Sequence, residues 1–236
     1  MFVHGWSCDR GYWKHQRDHF ADRFHVVALD LAGHGKSGAG RRTWTMPAFG
    51  ADVVAVAEQL GLGPMILIGH SMGGDLIVDA AGRLPDRVAG LAWVDTYRSL
   101  GKPRSQHEVE NFVAPFRADF GSATRNFVRR TFFLPTSDGD LVAWVAADMA
   151  AAPPEIALSA MEHAITFEPA VVRTLRGLRL PVVAINPDDK PTDIDALRRH
   201  GVDTVLMSGV GHFPMMEDPS TFNCLLDETV QQFIDS

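Results

Sequence analysis

Apolar and polar positions along this chain fall into two alternating textures. Short, mostly apolar runs occur at residues 1–4, 25–31, 65–68, 88–96, 181–186 and 203–208. Such runs, bounded by turn residues, read as buried strands, whereas apolar residues returning every three or four positions read as one face of a helix. The second pattern predicts helices at 9–24 (Trp13, Phe20, Phe24), 47–60 (Phe49, Val53, Val56, Leu60), 72–84, 194–200 and 219–234. Gly61 and Gly63 stop the second of these, as glycine does just past a helix end. Residues 32–45 are a glycine-rich loop. Strands this uniformly apolar, alternating with helices, predict a mostly parallel sheet covered on both faces.

The alternation stops at residues 97–178. Phe112, Phe116, Phe120, Phe127, Phe132, Phe133, Trp144 and Phe167 lie there in helical-looking segments broken at Pro135 and Pro153-Pro154, with no strand pattern. The expected organisation is an α/β core of residues 1–96 and 179–236 carrying an inserted helical cap, 97–178. Residues 1–4 resemble the tail of a strand, so a leading hairpin is expected to be missing from this sequence or to lie upstream of it. A core without that hairpin predicts lowered stability or a compensating homodimer.

Length and charge narrow the classes. The chain has 236 residues, 46% hydrophobic and 22% charged, which suits one globular domain with an insertion. Its net charge of −7 and isolated arginine pairs, Arg41-Arg42 and Arg129-Arg130, argue against a nucleic-acid partner. Cys8 and Cys224 make no disulfide framework and read as thiols of a reducing compartment. No apolar run is long enough for a membrane span, and no charged-then-apolar leader is present, so the expected location is cytoplasmic.

The chemistry centres on Gly69-His70-Ser71-Met72-Gly73. A strand turning sharply into a helix leaves no room for Cβ atoms two residues either side of the turning serine, and it lifts the hydroxyl out at the sheet's edge. The Met72 N–H then lies at a helix N-terminus. A serine hydroxyl needs a base, and the base needs a group to hold it. Of ten histidines, His212 follows the last strand and precedes the final helix, at the same edge as Ser71.

The order His4-Gly5-Trp6, Asp30-Leu31-Ala32-Gly33-His34-Gly35-Lys36-Ser37, Gly69-His70-Ser71-Met72-Gly73, Gly211-His212 and Glu217-Asp218-Pro219 resembles the α/β-hydrolase superfamily. Within it, the chain resembles the capped esterase, lactonase and perhydrolase branch. The resemblance covers nearly everything but the cap. It implies that Trp6 supplies the second oxyanion N–H beside Met72, with His4 buttressing that loop. It leaves the triad acid open. Asp189, with Asp188 beside it, stands in the Asn186-Pro187-Asp188-Asp189-Lys190-Pro191 stretch after the strand that follows the cap. Asp95 ends the strand before the cap, where some relatives place their acid, and is the first choice.

Other constellations carry little. Gly33-His34-Gly35-Lys36-Ser37 lacks the earlier glycine and following helix of a phosphate loop. His15 and His19 share a helical face, without the glutamate that a metalloprotease helix sets beside its first histidine. The expectation is therefore a serine carboxylesterase acting on a small-molecule ester with an apolar acyl group, without metal or cofactor. Lactonase, carbon–carbon hydrolase and perhydrolase chemistry use the same parts, and a slow-hydrolysing receptor is the rival from another class.

Overall fold

A computed structural model describes residues 1–235. Six parallel strands form one sheet in the order β2-β1-β3-β4-β5-β6. They are β1 (Phe2–Val3), β2 (Ala28–Leu29), β3 (Met65–His70), β4 (Val88–Val94), β5 (Val182–Pro187) and β6 (Val202–Met207). β3 and β4 lie at the centre, which explains their almost unbroken burial and apolar composition.

The core helices are α1 (Lys14–Phe20), α2 (Met46–Gln59), α3 (Met72–Arg83), α9 (Ile194–Arg198), α10 (Pro214–Glu217) and α11 (Pro219–Ile234). β4 shows how they cover the sheet. Trp93 donates its indole N–H to Gly74 O of α3, 3.1 Å away. Gly90, an odd number of positions away, faces the Phe233 ring of α11, which a Cβ would strike. Alternate strand residues point to opposite faces, so α3 and α11 cover opposite sides.

Between β4 and β5 the chain forms α4 (Gln106–Ala118), α5 (Phe120–Phe127), a π-helical turn (Val128–Phe132), α6 (Gly139–Ala150), α7 (Pro154–Ile165) and α8 (Glu168–Leu175), and no strand. Ser105 starts α4 with a reciprocal capping box to Glu108. Phe112, Phe116 and Phe127 pack edge-to-face or tilted with ring centroids 5.5–5.7 Å apart, so these aromatic residues form a core for the segment.

Two elements are shorter than their patterns predict. The helix expected at 9–24 opens as a 3₁₀ turn, Arg10–Trp13, because the Asp9 carboxylate accepts from Gly11 N and tightens the first turn; the α-helix proper is Lys14–Phe20. The strand expected at 25–31 pairs only at Ala28–Leu29, on the sheet's outer edge. Among the described residues, no single helix is long and apolar enough to cross a membrane.

Parallel register aligns the strand ends that matter. Val3 pairs with Gly69, His70 with Val94, and Pro187 with Met207. The loops leaving these ends carry Trp6, Ser71, Asp95, Asp188, Asp189 and His212, at the edge where open α/β sheets bind their ligands.

Candidate active site

Ser71 occupies the single residue between β3 and α3, with φ 52° and ψ −120°. A non-glycine residue at positive φ is strained and persists only where its surroundings enforce it. Here they do: Ser71 N donates to Val94 O at 2.9 Å, and Gly74 N returns to Ser71 O at 2.9 Å. A Cβ on Gly69 would collide with the backbone of Gly73 and Gly74, and one on Gly73 would lie 2.5 Å from Val3 O. The two glycines let the backbone cross itself at the turn.

His212 Nδ1 lies 2.7 Å from Asp95 Oδ2. Asp95 is itself at positive φ, 44°, just past β4, and is nearly buried. Burial works against its charge, but the His212 hydrogen bond, the charges of His212 and Arg98, and His70 outweigh it and hold the carboxyl below the usual range. The other two candidate acids point elsewhere. Asp189 Oδ1 accepts from Arg98 at 2.6 Å, and Asp188 accepts from the Ser208 hydroxyl. The same Arg98 guanidinium reaches Asp95 Oδ1 at 3.0 Å, so Asp189 is tied to Asp95 through one arginine.

The His212 loop is held by groups that its sequence context does not reveal. His70 Nε2–H donates to the His212 carbonyl at 2.8 Å, the two rings 4.6 Å apart. Burial, with the charge of His212 next, pushes the His70 pKa down to about 3, so this ring stays a neutral donor. Glu217 Oε1 accepts from both Gly211 N (3.0 Å) and Phe213 N (3.2 Å), clamping the backbone on either side. His212 N donates to Phe132 O at 2.6 Å, and the Phe132 ring stacks on the imidazole at 4.1 Å. His70 and Glu217 stand in the motifs that the sequence displays, Gly69-His70-Ser71 and Glu217-Asp218-Pro219, but those motifs do not reveal these partners.

Met72 N belongs to the first turn of α3, where N–H groups have no partner within the helix. The loop after β1 approaches it closely: a Cβ on Gly5 would lie 3.2 Å from Ser71 Cβ and 2.9 Å from His70 Nδ1. His4 fixes this loop, donating from Nδ1 to Gly5 O at 2.8 Å and accepting Leu31 N on Nε2 at 3.0 Å. Both bonds require neutral imidazole, and burial first, then the charge of His34, lowers its pKa to about 3. Trp6 donates its indole N–H to Ala157 O of α7 at 2.7 Å, tying the loop to the helical segment.

Ser71, Met72, Trp6 and His212 line one cavity of about 430 Å³. Phe112, Phe127, Phe132, Met161 and Ile165 supply its apolar wall, and Asp75, Tyr97, Arg98, Lys102, Arg104 and Glu168 its polar one. A larger cavity, about 590 Å³, lies elsewhere, lined by Met1, Phe24, Leu60, Phe233 and neighbours, and contains none of these residues. In the loop 33–37, the Asp30 carboxylate already accepts Arg10 N and Lys36 N, so its N–H groups serve the loop itself. His19 bonds Asp227 at the surface. Among the described residues, no group of three or more His, Cys, Asp or Glu is placed to hold a metal ion.

A strained serine between strand and helix, with an imidazole and carboxylate gathered over the same sheet edge, is the layout of an α/β hydrolase. The chain belongs to the alpha/beta hydrolase family, whose model matches residues 1–223. It is 31% identical over 114 residues to lipase LipV of Mycobacterium tuberculosis, a stretch covering 48% of this chain and 43% of that one. The chain spans less than half the length of the curated relatives it first matches. It also has the fold of a thermophilic esterase from Thermogutta terrifontis (TM-score 0.84, 24% identity, 98% of this chain and 89% of that one). The enol-lactonase of Burkholderia xenovorans LB400 shares the fold too (TM-score 0.80, 21% identity, 100% and 90%).

Proposed function

We propose that this protein is a serine carboxylesterase working through an acyl-enzyme. The observation that carries the reading is the 2.7 Å contact between Asp95 and His212 Nδ1 beside the cavity that Ser71 lines. With Nδ1–H committed to Asp95, the proton-accepting nitrogen is Nε2. Ser71 Oγ attacks the ester carbonyl carbon while its proton passes to His212 Nε2. The carbonyl π electrons move onto oxygen, where the N–H groups of Met72 and Trp6 meet the charge. One such donor is worth on the order of 10²–10³ in rate.

The tetrahedral centre collapses, breaking the bond to the alkoxy oxygen, which leaves with the proton from Nε2. Water then repeats the sequence on the acyl-enzyme: it loses a proton to Nε2, attacks the carbonyl, and Ser71 Oγ leaves carrying that proton. The aromatic and aliphatic wall from the helical segment, which acts as a cap over the site, suits an apolar acyl group. The names of a lipase relative and an esterase of the same fold support ester cleavage, and a lactone is an internal ester open to the same attack.

A chain-length panel of p-nitrophenyl esters beside Ser71→Ala tests the proposal. The wild type is expected to turn over repeatedly on at least one ester, and Ser71→Ala to lose about 10⁴-fold or more. A wild type inert to every ester, or a Ser71→Ala variant equal to it, contradicts the proposal.

A further inference from the structure

The polar lining of the cavity contains a feature that ester cleavage alone does not need. Asp75 lies four residues after Ser71, in the first turn of α3. It lines the same cavity as Ser71 and His212 although it is only 4% exposed. Its neighbours Leu76, Ile77 and Val78 are fully buried hydrocarbons.

The Tyr97 hydroxyl donates to Asp75 Oδ1 at 2.6 Å. Among the described residues no donor reaches Oδ2, and that oxygen is not one of those shut away from solvent without a partner. It opens on the cavity that the residue lines. Oδ2 is thus left to solvent or to a bound ligand in the cavity.

The other charged groups on this wall are engaged. Glu168 Oε1 accepts Gly101 N and Lys102 N. Arg98 is spent on Asp95 and Asp189. Lys102 pairs with Asp193 at 3.8 Å, and Arg104 lies over the Phe112 ring. Burial above all raises the Asp75 pKa to about 7, the Tyr97 bond opposing and Glu168 adding to it. Below that value the carboxyl's proton sits on Oδ2, because Oδ1 already accepts from Tyr97, and Oδ2 donates; above it Oδ2 is ionised and accepts, strongly.

Building on the esterase reading, we infer that Asp75, oriented by Tyr97, is an acceptor subsite selecting substrates with a hydroxyl or amide N–H a few bonds from the scissile carbonyl. The substrate class is thus an ester with a polar donor inside an otherwise apolar body, with the donor meeting Oδ2 while Ser71 attacks.

The test compares kcat/KM for matched pairs. On the acyl side, these are the p-nitrophenyl esters of butyric acid, 3-hydroxybutyric acid and N-acetyl-β-alanine. On the alcohol side, they are methyl butyrate and glyceryl monobutyrate. Wild type and the isosteric Asp75→Asn are measured together. The wild type is expected to favour the donor-bearing member of at least one pair by about tenfold or more, the size of one hydrogen bond to a charged acceptor. In Asp75→Asn that ratio is expected to fall toward one, chiefly through a raised KM for the donor-bearing ester. Equal wild-type rates within both sets, or a ratio unchanged by Asp75→Asn, overturn the subsite while leaving the esterase reading standing. No turnover of any ester by the wild type overturns both. Rates are taken at pH 8, where Asp75 is ionised; if Asp75→Asn does not fold, Tyr97→Phe, which removes the bond orienting Asp75, is expected to lower the same ratio, and an unchanged ratio there overturns the subsite.

Discussion

His212 Nδ1 and Asp95 Oδ2 meet at 2.7 Å across 117 positions of sequence. The contact exists because β4 delivers Asp95 in the middle of the sheet while the loop after β6 folds back over it. The ten-residue-scale neighbourhood of His212 contains no acid aimed at its ring: Glu217 is used on backbone N–H groups instead. This separates the three candidate acids experimentally. Asp95→Asn is expected to lower kcat by about 10⁴-fold, the loss seen when the group that fixes a triad imidazole's tautomer is removed. Asp189→Asn acts through Arg98 and Lys190 rather than on the imidazole and is expected to cost about tenfold or less, and Asp188→Asn less still. Steady-state kinetics on one aryl ester ranks them, and a larger loss for Asp189→Asn than for Asp95→Asn contradicts the assignment.

The His212 loop predicts positioning effects that differ from substrate-binding effects. His70→Leu removes the donor to the His212 carbonyl while keeping apolar bulk. It is expected to lower kcat about tenfold or more with KM little changed, because the imidazole loses its aim and the cavity wall does not. Glu217→Ala strands two backbone N–H groups and is expected to cost about 1.5–3 kcal/mol of stability as well as kcat. Thermal melts beside kcat and KM check both. A rise in KM alone for His70→Leu would place it with binding rather than positioning.

Buried titratable groups set a stability profile whose parts have opposite signs. The folded pKa of Asp75 is raised from 3.8 to about 7, so between those values the native state holds a proton that the unfolded chain has lost. Its contribution is fully present below 3.8 and is lost as pH rises through about 7. His4 and His70 fall from 6.5 to about 3, so the unfolded chain binds the extra protons, and their contributions grow as pH rises through that window. Denaturant melts between pH 4 and 7 are expected to show a steeper gain with pH in Asp75→Asn than in the wild type, and a shallower one in His70→Gln. Parallel profiles for all three proteins contradict these shifts.

Trp6 links the proposed oxyanion loop to α7 through its indole N–H on Ala157 O. Trp6→Phe keeps the ring in the edge-to-face cluster with Phe116 and Phe120, 5.9 and 6.0 Å away, but loses that bond. A loop released from the helical segment is expected to cost kcat about tenfold while stability falls by about 1 kcal/mol. A variant that keeps kcat would show that the loop holds its shape without the tie.

Much of this was legible because the decisive constraints are local. Gly69 is fixed by the close approach of Gly73 and Gly74 within the turn itself, so spacing predicts the turn, although Gly73 also makes room for Val3 and His4 of the neighbouring chain segment. His212 could be singled out by its place after the last strand. Asp95 could be ranked first but not set apart from Asp189, because they follow the neighbouring strands β4 and β5 and the choice depends on which carboxylate lies within reach of one imidazole. Arg98 bonds both, which explains why each position looks like a plausible home for the acid. His70, Glu217 and Phe132 stood in the motifs and aromatic run of the sequence without a role for the same reason: their partners are backbone atoms or a ring brought near only by the fold. The helix expected at 9–24 was overextended because its apolar spacing carries no record of the Asp9 side chain tightening the first turn.

The central claim is that Ser71 becomes acylated. Intact-protein mass spectrometry during pre-steady-state hydrolysis of a p-nitrophenyl ester, with peptide mapping of the adduct, measures it directly. The account predicts a burst of p-nitrophenol and one acyl group on Ser71, absent from Ser71→Ala and slowed about 10⁴-fold in Asp95→Asn. An adduct on another residue, or steady turnover undiminished in Ser71→Ala, would contradict it.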